Sequence, residues 1–328
     1  MKKIVVIGGG TGSYVVLSGL KKLKNITLTT IVSSMDSGGS TGRLRDEFGY
    51  LPTGDVRQCL VALADEKSQG LLRELFLYRF DKGEAGLKGH NLGNLFLTAM
   101  RDITGDELEA IRKTQEMFNI PGSVLPVTLD DCHLIAEYSN GAELVTETNI
   151  DEPPYPHDGN LRITKLKTDQ PAETYPEVEK AIKQADLIVI GPGDLYTSLI
   201  ANLVIKGIPE ALQKTQAKVV HTVNLMTKFG QTTDFTASEH VLEIEKYMGR
   251  QVDYILMNNA DLPEKILMEY QKYNTDKVQD DLGDDSRVIH ADLVASEEVK
   301  TVKGDVLHRS LIRHDGNKIA SCLYNLLN

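Results

Sequence analysis

Apolar, β-branched runs alternate with amphipathic stretches along this chain, and glycine- or asparagine-rich turns follow run after run. Residues 3–7, a lysine and then an unbroken apolar β-branched run, have the pattern of a strand covered on both faces. G-G-G-T-G at 8–12 follows, and 14–24 predicts a helix. Strand, glycine turn and helix open a nucleotide-binding βαβ unit. Residues 27–32 predict the second strand. Helical patterning then marks 54–64, 71–80, a stretch reaching 100 that Asn91 is expected to cap, and a helix to 118 behind T-G-D-E at 104–107, read as a capping box. Four helices before the next strand are too many for one crossover, so 54–118 is expected to form a helical layer beside the sheet. Short strands are predicted at 123–127, 133–138, 143–146 and 162–166, with N-G at 140–141 as a hairpin signal. They define a small irregular β-rich insertion, 123–170.

The α/β rhythm returns at 176. It predicts a helix at 178–184, a buried strand at 186–190, a second glycine turn at 191–198, and strands at 218–223 and 252–257. A capping box starting at Thr236 opens a helix to 248, and Asp261 is expected to cap one to 270. An acidic solvated loop at 279–286, an edge strand at 287–290 and a closing helix at 318–327 complete the pattern. The expectation is one α/β domain over 1–328. It is Rossmann-like, an open, mostly parallel sheet with helices on both faces, plus the helical layer and the β insertion.

In such a sheet ligands bind beyond the carboxyl ends of the strands. The turns at those positions bring Gly9, Gly10, Thr11 and Gly12, then Asp36, Gly38, Gly39, Ser40, Arg43 and Arg45, then Gly191, Gly193, Asp194 and Ser198, then Asn224, toward one crevice. Residues 35–57 hold five glycines, three arginines and four acids in 23 positions, and none of the stretch reads as core. It reads as a shaped loop whose backbone N–H groups and guanidinium forks suit phosphate, with Arg43, Arg45 and Arg57 turned to one anion. The plainer alternative pairs Arg43 with Glu47 and Arg57 with Asp55 on the surface, each worth under about 1 kcal/mol. Asp36, Asp46 and Asp55 are candidates to hold Mg²⁺ through a ligand phosphate, since that ion takes few carboxylates plus phosphate oxygens; capping and ribose binding are the alternative. His90, Asn91 and Asn94 stand at a helix start, which attracts anions, or else cap it around a buried imidazole. His221, inside an apolar strand, reads as a core histidine, and His240 reaches the crevice only if its helix faces it. No serine stands in a nucleophile elbow and no cysteine carries an activating pattern, so nucleophilic hydrolysis gains no support.

Composition narrows the classes. The net charge of −11 argues against a nucleic-acid binder, though local arginines still suit a small anion. The three cysteines, Cys59, Cys132 and Cys322, have no metal spacing and read as packed, reduced thiols. The opening M-K-K-I-V-V-I-G reads as a strand and not a signal peptide, and no apolar run reaches the roughly 18 residues of a membrane span. The expected location is cytoplasmic.

G-G-G-T-G at 8–12, D-S-G-G-S-T-G-R-L-R at 36–45, P-T-G-D-V-R at 52–57, G-H-N-L-G-N-L at 89–95 and G-P-G-D-L-Y-T-S at 191–198 together resemble the CofD/YvcK family. N-L-M-T at 224–227, S-E-H at 238–240 and R-H-D at 313–315 also fit, so the resemblance covers nearly the whole chain. It implies one of two activities. One branch is a 2-phospho-L-lactate transferase, which moves a phospholactyl group from a guanosine diphosphate donor to a deazaflavin with Mg²⁺. The other is the bacterial gluconeogenesis factor, a regulator tied to carbon source, cell wall and cell shape that binds UDP-N-acetylglucosamine. The arginines and glycines at 38–45 and the motif at 89–95 are similar to the bacterial branch. Asp55 matches the acid that contacts the deazaflavin in the transferase and is the one catalytic candidate. Tyr270 and Arg313 match positions tied to the nucleotide sugar. Gly316 stands where the bacterial branch often carries a phosphorylatable threonine.

The reading is therefore a nucleotide-sugar-binding regulator. It requires no resident cofactor, with Mg²⁺ accompanying a nucleoside-diphosphate ligand as the candidate. The rival is a Mg²⁺-dependent phospholactate-type transferase. A nicotinamide dehydrogenase rests on the first βαβ unit alone, where Ser13 replaces the last glycine of the fingerprint. Expected partners are the nucleotide ligand, a second copy of the chain as a homodimer, and regulatory proteins of unknown identity.

Overall fold

The computed structural model describes residues 1–65, 70–82, 86–154, 156–296 and 311–327. Its strands are β1 (Lys2–Gly8), β2 (Ile26–Val32), β3 (Ser123–Pro126), β4 (Leu134–Tyr138), β5 (Glu143–Val145), β6 (Ile163–Thr168), β7 (Leu187–Ile190), β8 (Lys218–Thr222), β9 (Tyr254–Asn258) and β10 (Val288–Ala291). Its helices are α1 (Gly10–Leu20), α2 (Gly39–Phe48), α3 (Gly54–Leu63), α4 (Gly70–Leu77), α5 (Leu92–Thr104), α6 (Glu107–Met117), α7 (Glu147–Asp151), α8 (Pro176–Gln184), α9 (Ala201–Leu203), α10 (Ile208–Lys214), α11 (Ala237–Met248), α12 (Glu264–Gln271) and α13 (Gly316–Leu326), with a π-helical turn Leu195–Ile200 before α9.

Seven strands form one sheet in the order β10-β9-β8-β7-β1-β2-β3, and every neighbouring pair is parallel. Chain order runs outward from β1 in both directions, so the switch point lies between β1 and β7. Strand alternation divides the core. Ile4 and Val6 of β1, with Leu187 and Val189 of β7, meet Leu17, Val56, Leu60 and Ile319 on one face. Val5, Ile7, Ile188 and Ile190 meet Ile182, Leu199, Leu212 and Val241 on the other. Both faces are covered, which is why these strands read as unbroken apolar runs.

The remaining strands form an antiparallel sheet, β5-β4-β6, packed through Leu134, Ala136, Tyr138, Ile163 and Leu166 onto the second face. The insertion is thus smaller than 123–170. β3 pairs with β2 and forms the edge of the large sheet, because its Val124 is buried among the residues of the first face. The predicted hairpin at 140–141 is present, with Gly141 at φ +84°. Two caps differ from expectation. α6 is capped by Asp106, whose side chain accepts from the Glu109 N–H, while Thr104 still belongs to α5. α12 begins after Pro263 and not at Asp261. Asn91 and Thr236 cap as expected. Among the described residues, no helix is long and apolar enough to cross a membrane.

Candidate functional site

At the switch point the two glycine turns meet. Gly9 is the extended N-cap of α1, so Gly10, Thr11 and Gly12 form the first helical turn and do not precede it as a loop. A methyl group on Gly12 would lie 1.7 Å from the Pro192 carbonyl oxygen, and one on Gly9 would lie 2.7 Å from Ser198 Oγ. Only bare backbone allows this approach. Asn202 adds a clamp, donating from Nδ2 to the carbonyls of Gly8 (3.2 Å) and Ser198 (2.7 Å). The second turn takes Gly191 through φ +80°. Asn224, just past β8, accepts from the Gly193 N–H at 3.1 Å and donates to its carbonyl at 2.8 Å, which fixes the peptide before Asp194. The N-terminus of α1, where the Gly10 N–H donates to the Asp55 carboxylate, therefore opens beside a turn held rigid from two sides.

The stretch 35–57 departs from its reading as a loop. Most of it is helix, α2 and the start of α3, and much of it is core: Met35, Leu44, Leu51 and Val56 are buried. A helical period fits the stretch because Leu44 and Arg45 face inward while Arg43, Asp46 and Glu47 face solvent. The arginines accordingly diverge. Arg43 is exposed and donates to the Lys88 carbonyl at 3.2 Å. Arg45 is buried, pairs with Asp131 and donates to the Cys132 carbonyl at 2.8 Å. Arg57 is buried in α3 and donates to Asn94 Oδ1 at 2.7 Å and the Phe76 carbonyl at 3.1 Å.

The G-H-N-L-G-N motif closes onto the same helices. Ser40 Oγ accepts from the Asn91 N–H at 3.1 Å and meets His90 Nδ1 at 3.1 Å. Asn94 is the hub: it donates to Thr41 Oγ1 at 3.1 Å, accepts from Arg57, and gives its N–H to the Asn91 cap at 3.2 Å. His90, Asn91 and Asn94 are all buried, and burial with the nearby Arg43 charge lowers the His90 pKa. Gly38 is the N-cap of α2, and Gly39, at φ +49°, begins that helix. His221 is buried in β8 against the Ile190 carbonyl. His240 is buried beside Phe235, with its Nδ1 2.9 Å from the Thr236 carbonyl.

Charge gathers on the other side. Asp36, past β2, accepts from the Gly38 N–H at 2.9 Å; desolvation raises its pKa against that bond and the Arg57 charge. Asp55, in the first turn of α3, faces the first glycine turn, where a methyl group on Gly10 would lie 2.5 Å from Oδ1. Desolvation first, and Asp36 second, push its pKa up to about 7. Glu147 of α7 is raised well above the usual range by desolvation and by Asp36, Asp151 and Asp55. Asp194 goes up to about 6, again chiefly by desolvation, although its carboxylate keeps some solvent contact. α7 lies across this ground. Thr148 at its start bonds Ser37 (N–H to Oγ, 3.0 Å), and Asp151 at its end accepts from Gln231 Nε2 at 3.1 Å and meets Lys228 Nζ at 3.1 Å. Lys228 Nζ also lies 3.9 Å from Asp194.

Tyr270 and Arg313 come together at one margin of this crevice. The Tyr270 hydroxyl accepts from the Ile312 N–H at 3.3 Å, and the Arg313 charge acts on its phenol. Ile312 packs with Leu225, beyond β8, and Leu262, beyond β9. Sequence reasoning missed Gln58, whose Oε1 accepts from Thr11 Oγ1 at 3.1 Å, as well as Asn202, Glu147, Asp151, Gln231 and Lys228. Lys228 follows N-L-M-T directly, and that adjacency is the one signal available in the chain. Among the described residues, no three of His, Cys, Asp and Glu converge as a metal-holding group.

Fold and site together define a Rossmann-like α/β protein with two touching glycine turns at its switch point and a charged cluster beside them. The chain belongs to the CofD family: the family model described as 2-phospho-L-lactate transferase CofD matches residues 4–307. The chain is 39% identical over 326 residues to the gluconeogenesis factor of Bacillus subtilis, covering 99% of this chain and 98% of that one. A Thermotoga maritima relative is 40% identical over 321 residues, 98% of each chain. A crystal structure of a UPF0052 family protein from Bacillus halodurans superposes with a TM-score of 0.87 at 35% identity, covering 98% of this chain and 99% of that one.

Proposed function

We propose that this protein is a gluconeogenesis factor of the regulatory type, a cytoplasmic regulator of carbon metabolism, cell wall and cell shape that binds a nucleotide sugar of the UDP-N-acetylglucosamine kind. The observation that carries the reading is the meeting of the two glycine turns at the switch point, at the N-terminus of α1. A diphosphate there meets backbone N–H groups and the helix dipole. Gly9, Gly10, Thr11, Gly12, Gly191, Gly193, Asp194 and Ser198 line the diphosphate, while Asp36, Gly38, Gly39, Ser40 and Asn224 shape its surroundings. Arg43 approaches from the rim. Arg45, Arg57, His90, Asn91 and Asn94 support the walls through the bonds described above. The Tyr270–Arg313 pair receives the far end of the ligand. Ligand binding shifts partner contacts only as far as the two states differ in affinity. Calorimetry with UDP-N-acetylglucosamine tests this. Measurable heat is expected, and Arg313→Ala should weaken binding at least tenfold; no heat and no thermal shift for the native chain would remove the reading.

The transferase reading is favoured by the family model and by Asp55. A half-buried carboxyl with its pKa pushed up to about 7 beside the first glycine turn is suited to accept a proton from an acceptor hydroxyl near neutral pH. Asp36 and Asp55 fit Mg²⁺, because Asp36 lies near enough to raise the Asp55 pKa and the ion needs few carboxylates beside phosphate oxygens. When bound, that ion would neutralise phosphate charge. The check is acceptor-dependent release of GMP or UMP, and its absence with either nucleotide donor would end this reading.

A further inference from the structure

Among the described residues, the crevice gathers more carboxyl groups than cations. Asp36, Asp55, Glu147, Asp151 and Asp194 lie within electrostatic reach of one another there, and among the described residues the cations acting on them are Arg57 and Lys228. A phosphorylated ligand adds still more. It must meet a cation able to turn to it, because like charges repel strongly in a partly desolvated site.

The arginines are poorly placed for that task. Arg45 is buried against Asp131 and the Cys132 carbonyl, and Arg57 is buried against Asn94 and the Phe76 carbonyl. Turning either to a ligand would orphan buried acceptors, which is costly. Arg43 reaches outward to Lys88. Lys228 differs in three respects. Its ammonium is bonded to carboxylate oxygens, Asp151 at 3.1 and 3.2 Å, with Asp194 at 3.9 Å. Its side chain is one-third exposed, so it has room to swing. Its backbone is fixed: the Lys228 N–H donates to Thr232 Oγ1 at 2.8 Å, and the neighbouring Thr227 N–H donates to the Asp276 carbonyl at 2.8 Å. A lysine head is a compact charge on a flexible stem, so it can exchange one anion for another with little loss of geometry. Asp194 is also the residue directly after Gly193, so the ammonium already stands at the second glycine turn.

Resting on the nucleoside-diphosphate reading above, we propose that Lys228 is the phosphate-recognising cation of this crevice, held by Asp151 and Asp194 until a phosphorylated ligand takes their place. The exchange makes and breaks ion pairs only. It predicts that Lys228 discriminates by phosphate and not by base or sugar. It also predicts that weakening its resting partners strengthens ligand binding.

Isothermal calorimetry with UDP and with uridine, on native protein, Lys228→Gln and Asp151→Asn, tests both points. Thermal melts without ligand establish that each variant is folded. The expected result is at least tenfold weaker UDP binding for Lys228→Gln with uridine unchanged within twofold, and several-fold tighter UDP binding for Asp151→Asn. Raising the salt concentration should weaken UDP binding to the native chain more steeply than to Lys228→Gln. If native protein binds UDP and Lys228→Gln binds it within twofold of native, the inference is wrong while the nucleotide reading stands. If native protein binds neither UDP nor UDP-N-acetylglucosamine, the nucleotide reading itself fails. If Lys228→Gln does not fold, Asp151→Asn decides: unchanged or weaker UDP binding overturns the proposal.

Discussion

Two polar regions flank the switch point, and they are built on opposite principles. Around Ser40, Thr41, His90, Asn91 and Asn94 the groups are neutral, buried and bonded to one another. Around Asp36, Asp55, Glu147, Asp151 and Asp194 they are acidic, crowded and short of cations. The first holds helices in place, since each bonded buried group removes a reason to move. The second has titratable groups displaced from their usual range, the mark of a place where chemistry or charged ligands are handled. Arg57 belongs to both. It donates to Asn94 in the neutral network, and its charge lowers the pKa of Asp36 and Asp55 in the acidic one.

Removing that shared residue should break both regions at once and have the largest effect. Arg57→Met leaves Asn94 Oδ1 and the Phe76 carbonyl without this donor and removes a cation that lowers the pKa of both Asp36 and Asp55. A loss of about 3–5 kcal/mol is expected by denaturant unfolding. The loss should be larger at pH 8 than at pH 5, because the acids escape part of the penalty by protonating as pH falls. A destabilisation under about 1 kcal/mol, or one independent of pH, would mean the two regions are not joined through this guanidinium.

The acidic region alone is sharpened by Asp55→Asn. The Asp55 pKa is raised in the folded protein, so its ionisation opposes folding. Relative to a neutral side chain, the native protein keeps full stability below the unfolded value near 4 and loses it as pH rises through about 7. Because the residue is only half-buried, the full shift overstates the cost, and about 2 kcal/mol is a fair figure at pH 8. The N-terminus of α3 favours a negative charge and returns up to about 1 kcal/mol of it. Asp55→Asn should therefore be more stable than native protein by about 1–2 kcal/mol at pH 8, with the gap closing below pH 4. Parallel pH profiles of the midpoint would show no convergence if the carboxyl were ordinary.

The strands and the glycine turns were legible because their signals are local. A doubly covered strand is apolar at every position, as in residues 187–190, and a close backbone approach demands glycine, as at Gly12. The misreading of 35–57 has a physical source too. Glycine is a poor helix former, so G-G-S-T-G reads as a loop. In α2, however, Gly42 must be bare because a methyl there would lie 2.1 Å from the Ser37 carbonyl oxygen, and the helix is held by Ser40 and Thr41 bonding to a motif fifty residues away. Tertiary contacts of that range leave no periodic trace. The same holds for Lys228 and Asp151, which are 77 positions apart. Tyr270 and Arg313, by contrast, are each singled out only by family resemblance, and in the fold the Arg313 charge acts on the Tyr270 phenol.

The smallest expected effect separates scaffold from rim most cleanly. Arg43 and Arg45 are two residues apart, and a loop there would let both turn to one anion. α2 instead turns Arg45 inward onto Asp131 and Arg43 outward onto the Lys88 carbonyl. An exposed guanidinium sharing one carbonyl contributes little, so Arg43→Ala should change unfolding free energy by less than about 0.5 kcal/mol. Arg45→Ala should cost several times more, since it strands the buried Cys132 carbonyl and frees Asp131. If Arg43→Ala keeps its stability yet weakens UDP binding, the outward arginine serves the rim of the crevice. If binding is also unchanged, the distinctive glycine–arginine stretch acts through α2 packing alone, and the charge that meets a ligand comes from the opposite side of the switch point.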